Sequence, residues 1–154
     1  MNKTFLISSI LIFFSCNQTY IFDEYKDFPE QSWSSDEILK FEYFVEDTAK
    51  TYTTVLKLRH TVNYEFQNLF LFIYNENKKD TVEVFLSNKK GEWIGKGIGD
   101  IRELELIIDS QKTYANKKKQ TILVEHAMRF GAEKEIKKLE NIDAVGIIVL
   151  SDYE

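Results

Sequence analysis

Apolar and polar residues alternate along much of this chain, and this period of two constrains its fold more than any other feature. Residues 39–46 follow it closely, because only Phe44 puts an apolar side chain among the polar ones. Successive side chains of a β-strand point to opposite faces, so the pattern predicts a strand with one buried face. Alternating, β-branched or aromatic runs recur in residues 52–59, 69–74, 82–86, 104–108, 122–128 and 144–150. The chain is therefore predicted to be mainly β.

The spacing of these runs predicts an antiparallel β-sandwich of about seven or eight strands. Because no long helices alternate with the strands, we expect two packed sheets of jelly-roll or immunoglobulin-like type. Residues 69–74 are apolar throughout, which predicts a central strand covered on both faces. One short helix is expected in residues 133–140, where Ile136 and Leu139 are three positions apart among charged residues.

The N-terminal segment is apolar and ends at the only cysteine of the chain. Lys3 precedes a mostly apolar run over residues 4–14, which is shorter than the about 20 residues that span a bilayer but typical of a secretory signal. Ser15 and Cys16 follow directly. This pattern is typical of bacterial lipoproteins, in which the thiol receives a diacylglycerol and the signal is cleaved before the cysteine. The new amine is then acylated, for example with palmitate. We predict Cys16 as the lipid attachment site; the alternative is an ordinary signal peptide with a buried cysteine.

These features divide the chain into a lipoprotein signal peptide (residues 1–15), a tether leading into the domain (residues 16–33) and a β-sandwich domain (residues 34–154). Without Lys3 the mature chain keeps 19 of its 20 basic side chains and all 25 acidic ones, so its formal charge is −6. That balance gives no electrostatic reason to bind nucleic acid or anionic lipid, so the lipid itself must hold the protein at a membrane. In some bacteria, acidic residues directly after the lipidated cysteine are a signal for export to the cell surface. Asp23 is the first acidic residue after Cys16, so this signal is missing and we expect an envelope protein that faces the periplasm.

Candidate catalytic and metal-binding residues are few. The glycine-rich run from Gly95 to Asp100 is not followed by a predicted helix, so we interpret it as a tight loop rather than a phosphate-binding site. His60 and His126 have no partner at metal-ligand spacing. Acidic pairs at residues 23–24, 36–37 and 46–47 lack the spacing of a calcium loop. The sequence supports no catalytic residue, metal or cofactor, and we predict that the chain is not an enzyme.

Two segments of the sequence are especially specific, namely residues 25–29 (YKDFP) and residues 93–100 (WIGKGIGD). Further segments are the signal ending at Cys16, Glu24 with Trp33, residues 58–61 with Tyr64, residues 68–72, Ile101, residues 125–129 and residues 142–146. Together these segments resemble one family, the gliding-motility lipoproteins of the GldH type found in gliding Bacteroidota. They run in the order of the family across nearly the whole mature chain.

The resemblance implies an envelope lipoprotein needed for gliding. Its implied partners are other lipoproteins and membrane proteins of the motility and type IX secretion apparatus, and no catalysis is implied. We therefore expect a structural or assembly component that acts through protein contacts. The alternative is a lipid-anchored sandwich that binds a ligand such as a glycan, because aromatic side chains can stack on sugar rings.

Overall fold

The computed structural model describes residues 18–76, 78–132 and 135–152, and this part of the chain is built from strands without a helix. Cys16 and the predicted signal peptide lie outside the described residues. The strands are β1 (Gln18–Asp27), β2 (Ser32–Ser34), β3 (Leu39–Val45), β4 (Thr51–Thr61), β5 (Asn68–Asn75), β6 (Lys78–Phe85), β7 (Ile101–Lys112), β8 (Lys118–His126), β9 (Lys138–Glu140) and β10 (Ile142–Asp152). The mainly β prediction is confirmed.

Two four-stranded sheets pack against each other. The first sheet has the order β1-β10-β4-β7 and the second has the order β3-β8-β5-β6, while β2 and β9 form a separate two-stranded ribbon. All strand pairs are antiparallel. The predicted antiparallel sandwich is therefore confirmed.

The long strands pair in a nested way that identifies the type of sandwich. β5 pairs with β6 at the centre of the chain, and around this hairpin β4 pairs with β7, β3 with β8, and β1 with β10. A long hairpin rolled up in this way produces two four-stranded sheets, which is the jelly-roll arrangement. Of the two sandwich types expected from the sequence, the structure has the jelly roll.

The core lies between the sheets and is filled by alternate residues of each strand. In β3 the buried residues are Leu39, Phe41, Tyr43 and Val45, as the period of two predicts. Each fully buried large apolar side chain stabilises the fold by about 1.5–3 kcal/mol relative to exposure. The alternating residues of all the long strands thus build one shared core.

The strand covered on both faces is β10 rather than β5, so the prediction for residues 69–74 was wrong in this respect. In β5 only alternate side chains are buried, and Phe72 and Tyr74 on the outer face are half-exposed. Lys79 lies 3.5 Å from the centroid of the Phe72 ring and helps to cover that face. In β10, by contrast, Ala144 and Ile148 are buried on the face opposite the core residues. Side chains of the flanking strands cover this outer face, which periodicity alone does not reveal.

The expected helix in residues 133–140 is wrong for the part of it that the structure describes. Residues 138–140 form β9, where Leu139 is buried and pairs with Trp33 of β2. The amide of Ile136 donates to the Met128 carbonyl at 2.9 Å. This hydrogen bond holds the segment before β9 against the residues that follow β8. A helix of two turns is marginal on its own, so pairing with β2 and burial of Leu139 decide the structure.

Strands also occur before residue 34. β1 pairs with β10 over residues 18–27, and β2 pairs with β9 over residues 32–34. Phe28 between them is buried, and its amide donates to the Asp143 carbonyl at 2.8 Å. The N-terminal segment therefore forms one edge of the first sheet.

Candidate functional site

The segments that carry the family resemblance lie largely at one end of the sandwich. β1, β4, β6 and β8 finish there, and β3, β5, β7 and β10 begin there. We call this end the motif end; it consists of loops within residues 28–38, 62–67, 86–100 and 127–141. The opposite end, where β1 begins and where the loops of residues 46–50 and 113–117 lie, is called the N-terminal end.

Aromatic and histidine rings form the interior of the motif end. Trp33 is fully buried, stacks on Phe28 at 5.4 Å between ring centroids and meets the edge of His126 at 5.3 Å. The Trp33 indole nitrogen donates to the Glu37 carbonyl at 3.0 Å. These contacts fix the loop that leads from β1 to β3.

A second row of rings runs from the glycine-rich loop to the loop after β8. His60 lies 4.7 Å from Trp93 and 5.8 Å from Tyr64, Tyr64 lies 5.7 Å from Phe66, and Phe66 lies 6.0 Å from Phe130, all between ring centroids. His60 is fully buried and Phe130 is 68% exposed. The row therefore connects the core of the sandwich to its surface.

Both histidines belong to this packed interior. The Nδ1 atom of His60 lies 2.8 Å from the Thr61 carbonyl, which fits a donor at Nδ1 and a neutral ring. Burial lowers the pKa of His60, and Arg102 adds to this effect while the Thr61 carbonyl opposes it. Burial also lowers the pKa of His126, although the backbone of Trp33 and the carboxylates of Glu125 and Glu135 oppose the shift. Both rings are thus kept neutral near pH 7.

These shifts predict a loss of stability in mild acid. The unfolded chain takes up protons on its histidines below about pH 6.5, whereas the folded chain resists until a lower pH. The unfolded state then binds more protons, so the free energy of unfolding falls with decreasing pH by up to about 1.4 kcal/mol per pH unit for each histidine. Urea unfolding between about pH 6.5 and about pH 5.5 measures this slope, above the range in which most carboxylates titrate. A flat profile in this window would contradict the neutral, buried state of His60 and His126.

A polar cluster lies on the outer face of the first sheet. The Tyr25 ring packs on Gly146, where an added Cβ would lie 2.8 Å from ring carbons. The Arg59 guanidinium lies 4.1 Å from the centroid of the Tyr25 ring, and its Nε atom donates to Glu103 at 2.5 Å. The Tyr25 hydroxyl donates to the same carboxylate oxygen at 3.1 Å. The cluster joins residues of β1, β4, β7 and β10 across the whole width of the sheet.

The protonation states of this cluster are fixed near neutral pH. Burial raises the pKa of Tyr25, and the Glu103 carboxylate raises it further. Burial acts to raise the pKa of Glu103, but hydrogen bonds from Arg59 and Tyr25 outweigh it and lower that pKa. The hydrogen bond to Glu103 raises the pKa of Arg59. The arrangement therefore holds one cation, one anion and one neutral phenol, and it links strands rather than storing a proton that titrates near pH 7.

The glycine-rich loop pairs with the segment that carries Glu103 of this cluster. Lys96 and Glu103 exchange two backbone hydrogen bonds of 2.8 and 2.7 Å, so the loop pairs with the start of β7. Gly97 approaches so closely that an added Cβ would lie 1.9 Å from the Ile101 carbonyl oxygen, and Gly99 has a positive φ of 65°. Trp93 packs on His60, whereas Ile94 is 49% exposed.

Exposed apolar residues gather at the motif end. Ile98 at the tip of the glycine-rich loop is 96% exposed and Phe130 is 68% exposed. Beside Phe130 lies a groove of about 560 Å³, whose apolar lining comes from Phe66, Ile136 and Leu139. A contiguous exposed apolar surface, such as the groove with Phe130 at its edge, is typical of sites that bind another protein.

The remaining candidate residues do not converge. Among the residues that the structure describes, no three histidine, cysteine, aspartate or glutamate side chains are close enough together to hold a metal ion. Glu24 of the first acidic pair instead forms an ion pair with Lys26. Within the same described ranges, no helix is long and apolar enough to cross a bilayer. Cys16, the predicted lipid attachment site, lies outside them.

Sequence reasoning missed the Tyr25 cluster and the groove. The cluster joins strands that are far apart in the chain, and only their register brings Arg59 opposite Glu103. The sequence does contain a signal for the cluster. Lys57 and Arg59 lie two positions apart in one predicted strand, and Glu103 and Glu105 are spaced in the same way around another, as expected for oppositely charged side chains on one face of a sheet. The groove forms only because Leu139 lies in a strand, and the sequence had predicted a helix there.

Together these features define a class of protein: a small jelly-roll domain whose motif end carries exposed apolar residues. A family model described as GldH lipoprotein matches residues 20–149. The chain belongs to the GldH lipoprotein family.

Two curated relatives are similar over nearly their whole length. One is named gliding motility lipoprotein GldH homolog, from Christiangramia forsetii; it is 31% identical over 146 residues, which cover 91% of this chain and 89% of the relative. The other is named gliding motility lipoprotein GldH, from Flavobacterium johnsoniae; it is 32% identical over 151 residues, which cover 94% of this chain and 93% of the relative. The resemblance stated from the sequence is thereby confirmed.

Proposed function

We propose that this chain is a lipid-anchored, non-catalytic envelope protein of the gliding-motility apparatus and of the associated type IX secretion machinery. In this proposal the signal comprises residues 1–15, the mature chain starts at Cys16, and its lipid holds the domain at a membrane facing the periplasm. Membership of the GldH lipoprotein family and the names of the two relatives support the motility role. The position of the sole cysteine after an apolar segment supports the anchor.

One observation carries the proposed mode of action, namely the exposed apolar residues of the motif end. Phe130 and Ile98 are exposed, yet the segments that hold them are fixed by buried rings and by backbone pairing with β7. A rigid base lowers the entropy lost on association, so these side chains are suited to contact a partner protein. The domain thus acts by binding another component of the apparatus through its motif end.

Lipid labelling tests the anchor. We expect a radioactive fatty acid to be incorporated into the wild-type chain and not into Cys16→Ser, because the thioether and the free amine of Cys16 would both be missing. Two or more acyl chains anchor stably, so the wild type should sediment with membranes. Equal labelling of the two chains would contradict the proposal.

Co-purification tests the protein contacts. After crosslinking in cells, a tagged wild-type chain should recover motility or secretion components. Recovery should fall strongly for Ile98→Ser/Phe130→Ser and stay unchanged for Ile107→Ser, which alters a residue of β7 that is 62% exposed. Failure of the wild type to recover any such component would count against the proposal.

A further inference from the structure

Apolar side chains are also exposed at the N-terminal end, where the lipid would be attached. Tyr20 is 66% exposed, Ile21 is 37% exposed and Phe44 is 54% exposed. Ile21 and Phe44 line one shared groove of about 440 Å³ between the first and the second sheet. We call these three residues the N-terminal apolar set.

A β-bulge explains why two consecutive residues of β1 are both exposed. The register of β1 against β10 shifts between Tyr20 and Phe22, so Ile21 has no partner in β10. A bulge turns side chains away from the regular alternation. Phe44 is exposed for a different reason, because β3 keeps its alternation there and Phe44 lies on the outer face beside Lys119. Both strands therefore expose apolar side chains at the same end of the sandwich.

The chain length outside the described residues limits what can cover this set. Cys16 precedes Gln18 by two residues, and an extended chain spans at most about 3.6 Å per residue. A lipid on Cys16 would therefore hold the start of β1 within about 7 Å of the membrane interface. The ten residues of β1 then extend away from it, which places the motif end about 30 Å further on when β1 stands upright.

Charges at this end are largely paired, so they neither attract nor repel a bilayer strongly. Lys118 pairs with Glu76 at 3.0 Å, and Lys78 pairs with Asp80 at 2.9 Å. Tyr is favoured at the membrane–water interface because it combines an apolar ring with a polar edge, and Phe is common among the apolar side chains that insert there. The chemistry of the exposed set thus fits a lipid surface better than a charged partner.

We propose that Tyr20, Ile21 and Phe44 insert into the interface of the bilayer that holds the lipid on Cys16, so that the sandwich stands on its N-terminal end. The motif end then points away from this membrane. This inference rests on the proposed lipid anchor and adds a defined orientation to it. Contact through apolar groups requires no anionic lipid and should change little with salt.

Fluorescence quenching tests this orientation on the full lipoprotein purified from membranes. If Cys16 carries the lipid, a cysteine introduced by Thr48→Cys or by Lys89→Cys is the only free thiol and accepts one fluorophore. Thr48 lies in the loop next to Phe44, and Lys89 lies in an exposed turn of the motif end. In phosphatidylethanolamine vesicles with a nitroxide on the lipid headgroup, we expect the probe at residue 48 to be quenched several-fold more than the probe at residue 89.

Variants assign the effect to the apolar set. Tyr20→Ser/Ile21→Ser/Phe44→Ser should lower the quenching of the probe at residue 48, while Phe85→Ser/Ile107→Ser, which alters two similarly exposed residues elsewhere, should leave it unchanged. Thermal unfolding of each variant in detergent shows that it is folded. Raising the salt concentration, or adding phosphatidylglycerol to the vesicles, should leave the quenching unchanged.

Two failures are distinguishable. The mass of the purified wild type reports whether Cys16 carries the lipid, and an unlipidated protein would overturn both the proposed anchor and this inference. A lipidated protein whose two probes are quenched equally, or whose triple variant is quenched like the wild type, would overturn the inference alone. Loss of quenching in high salt would point to an electrostatic contact and would also overturn it.

Discussion

Replacing Trp33 by alanine is expected to lower the free energy of unfolding by about 3–5 kcal/mol. The indole is fully buried and packs against Phe28 and His126. Its removal leaves a cavity and deprives the Glu37 carbonyl of its donor. Domains of this size are stable by only about 5–15 kcal/mol, so this substitution alone removes a large part of the stability. Urea unfolding followed by circular dichroism measures the change.

Phe85→Ala is the matched control for Trp33→Ala. It also removes an aromatic ring, but Phe85 is 58% exposed on the outer face of the second sheet. Surface substitutions usually change stability by less than about 0.5 kcal/mol. If Trp33→Ala were no more destabilising than Phe85→Ala, the account of the motif end as a packed interior would be wrong.

Replacing Gly97 by alanine is expected to displace the glycine-rich loop from β7. The added Cβ would meet the backbone of Ile101, which cannot move aside as a side chain can. Overpacking of this kind costs about 1–3 kcal/mol, and each lost backbone hydrogen bond between Lys96 and Glu103 adds about 0.5–1.5 kcal/mol. Because Glu103 also holds Arg59 and Tyr25, the outer cluster should loosen with the loop.

Hydrogen exchange and stability together test the Gly97 prediction. The amides of Lys96 and Glu103 should exchange faster in Gly97→Ala, since both donate in the pairing that the substitution breaks. Gly91→Ala serves as the control, because Gly91 has a positive φ of 81° but nothing within 4 Å of an added Cβ. That variant should cost only the about 1–2 kcal/mol of a left-handed backbone. Equal stability and equal exchange in the two variants would contradict the close approach.

The strands of the sandwich could be predicted wherever one face of the strand is buried in the core and the other is exposed to solvent. β3 is the clearest case, because its buried residues alternate strictly with exposed or half-exposed ones. Periodicity could not show that β10 is covered on both faces, since its cover comes from side chains of the neighbouring strands. It also predicted a helix for residues 133–140, because β2, the strand partner of β9, is distant in the chain. The spacing of Ile136 and Leu139 alone favoured one helical face.

The functional residues could be predicted only in part for a similar reason. His60 and His126 have no metal-ligand spacing in the sequence, and their edge-on packing against Trp93 and Trp33 depends on the tertiary fold. The Tyr25 cluster needs the register of four strands. The exposure of Ile98 and Phe130, and the packing of Phe130 against Phe66, also depend on the tertiary fold. Cys16 stays a prediction from the sequence, supported by the family.

Gliding itself tests the central claim most directly. In the producing bacterium with its own copy of the gene deleted, the speed of single cells is measured after expression of wild type, Cys16→Ser, Ile98→Ser/Phe130→Ser or Ile107→Ser at equal protein levels. The account predicts that wild type and Ile107→Ser restore movement, while loss of the lipid or of the exposed apolar residues at the motif end abolishes it. Normal gliding of cells that contain Cys16→Ser or Ile98→Ser/Phe130→Ser would contradict a lipid-anchored protein that acts through its motif end.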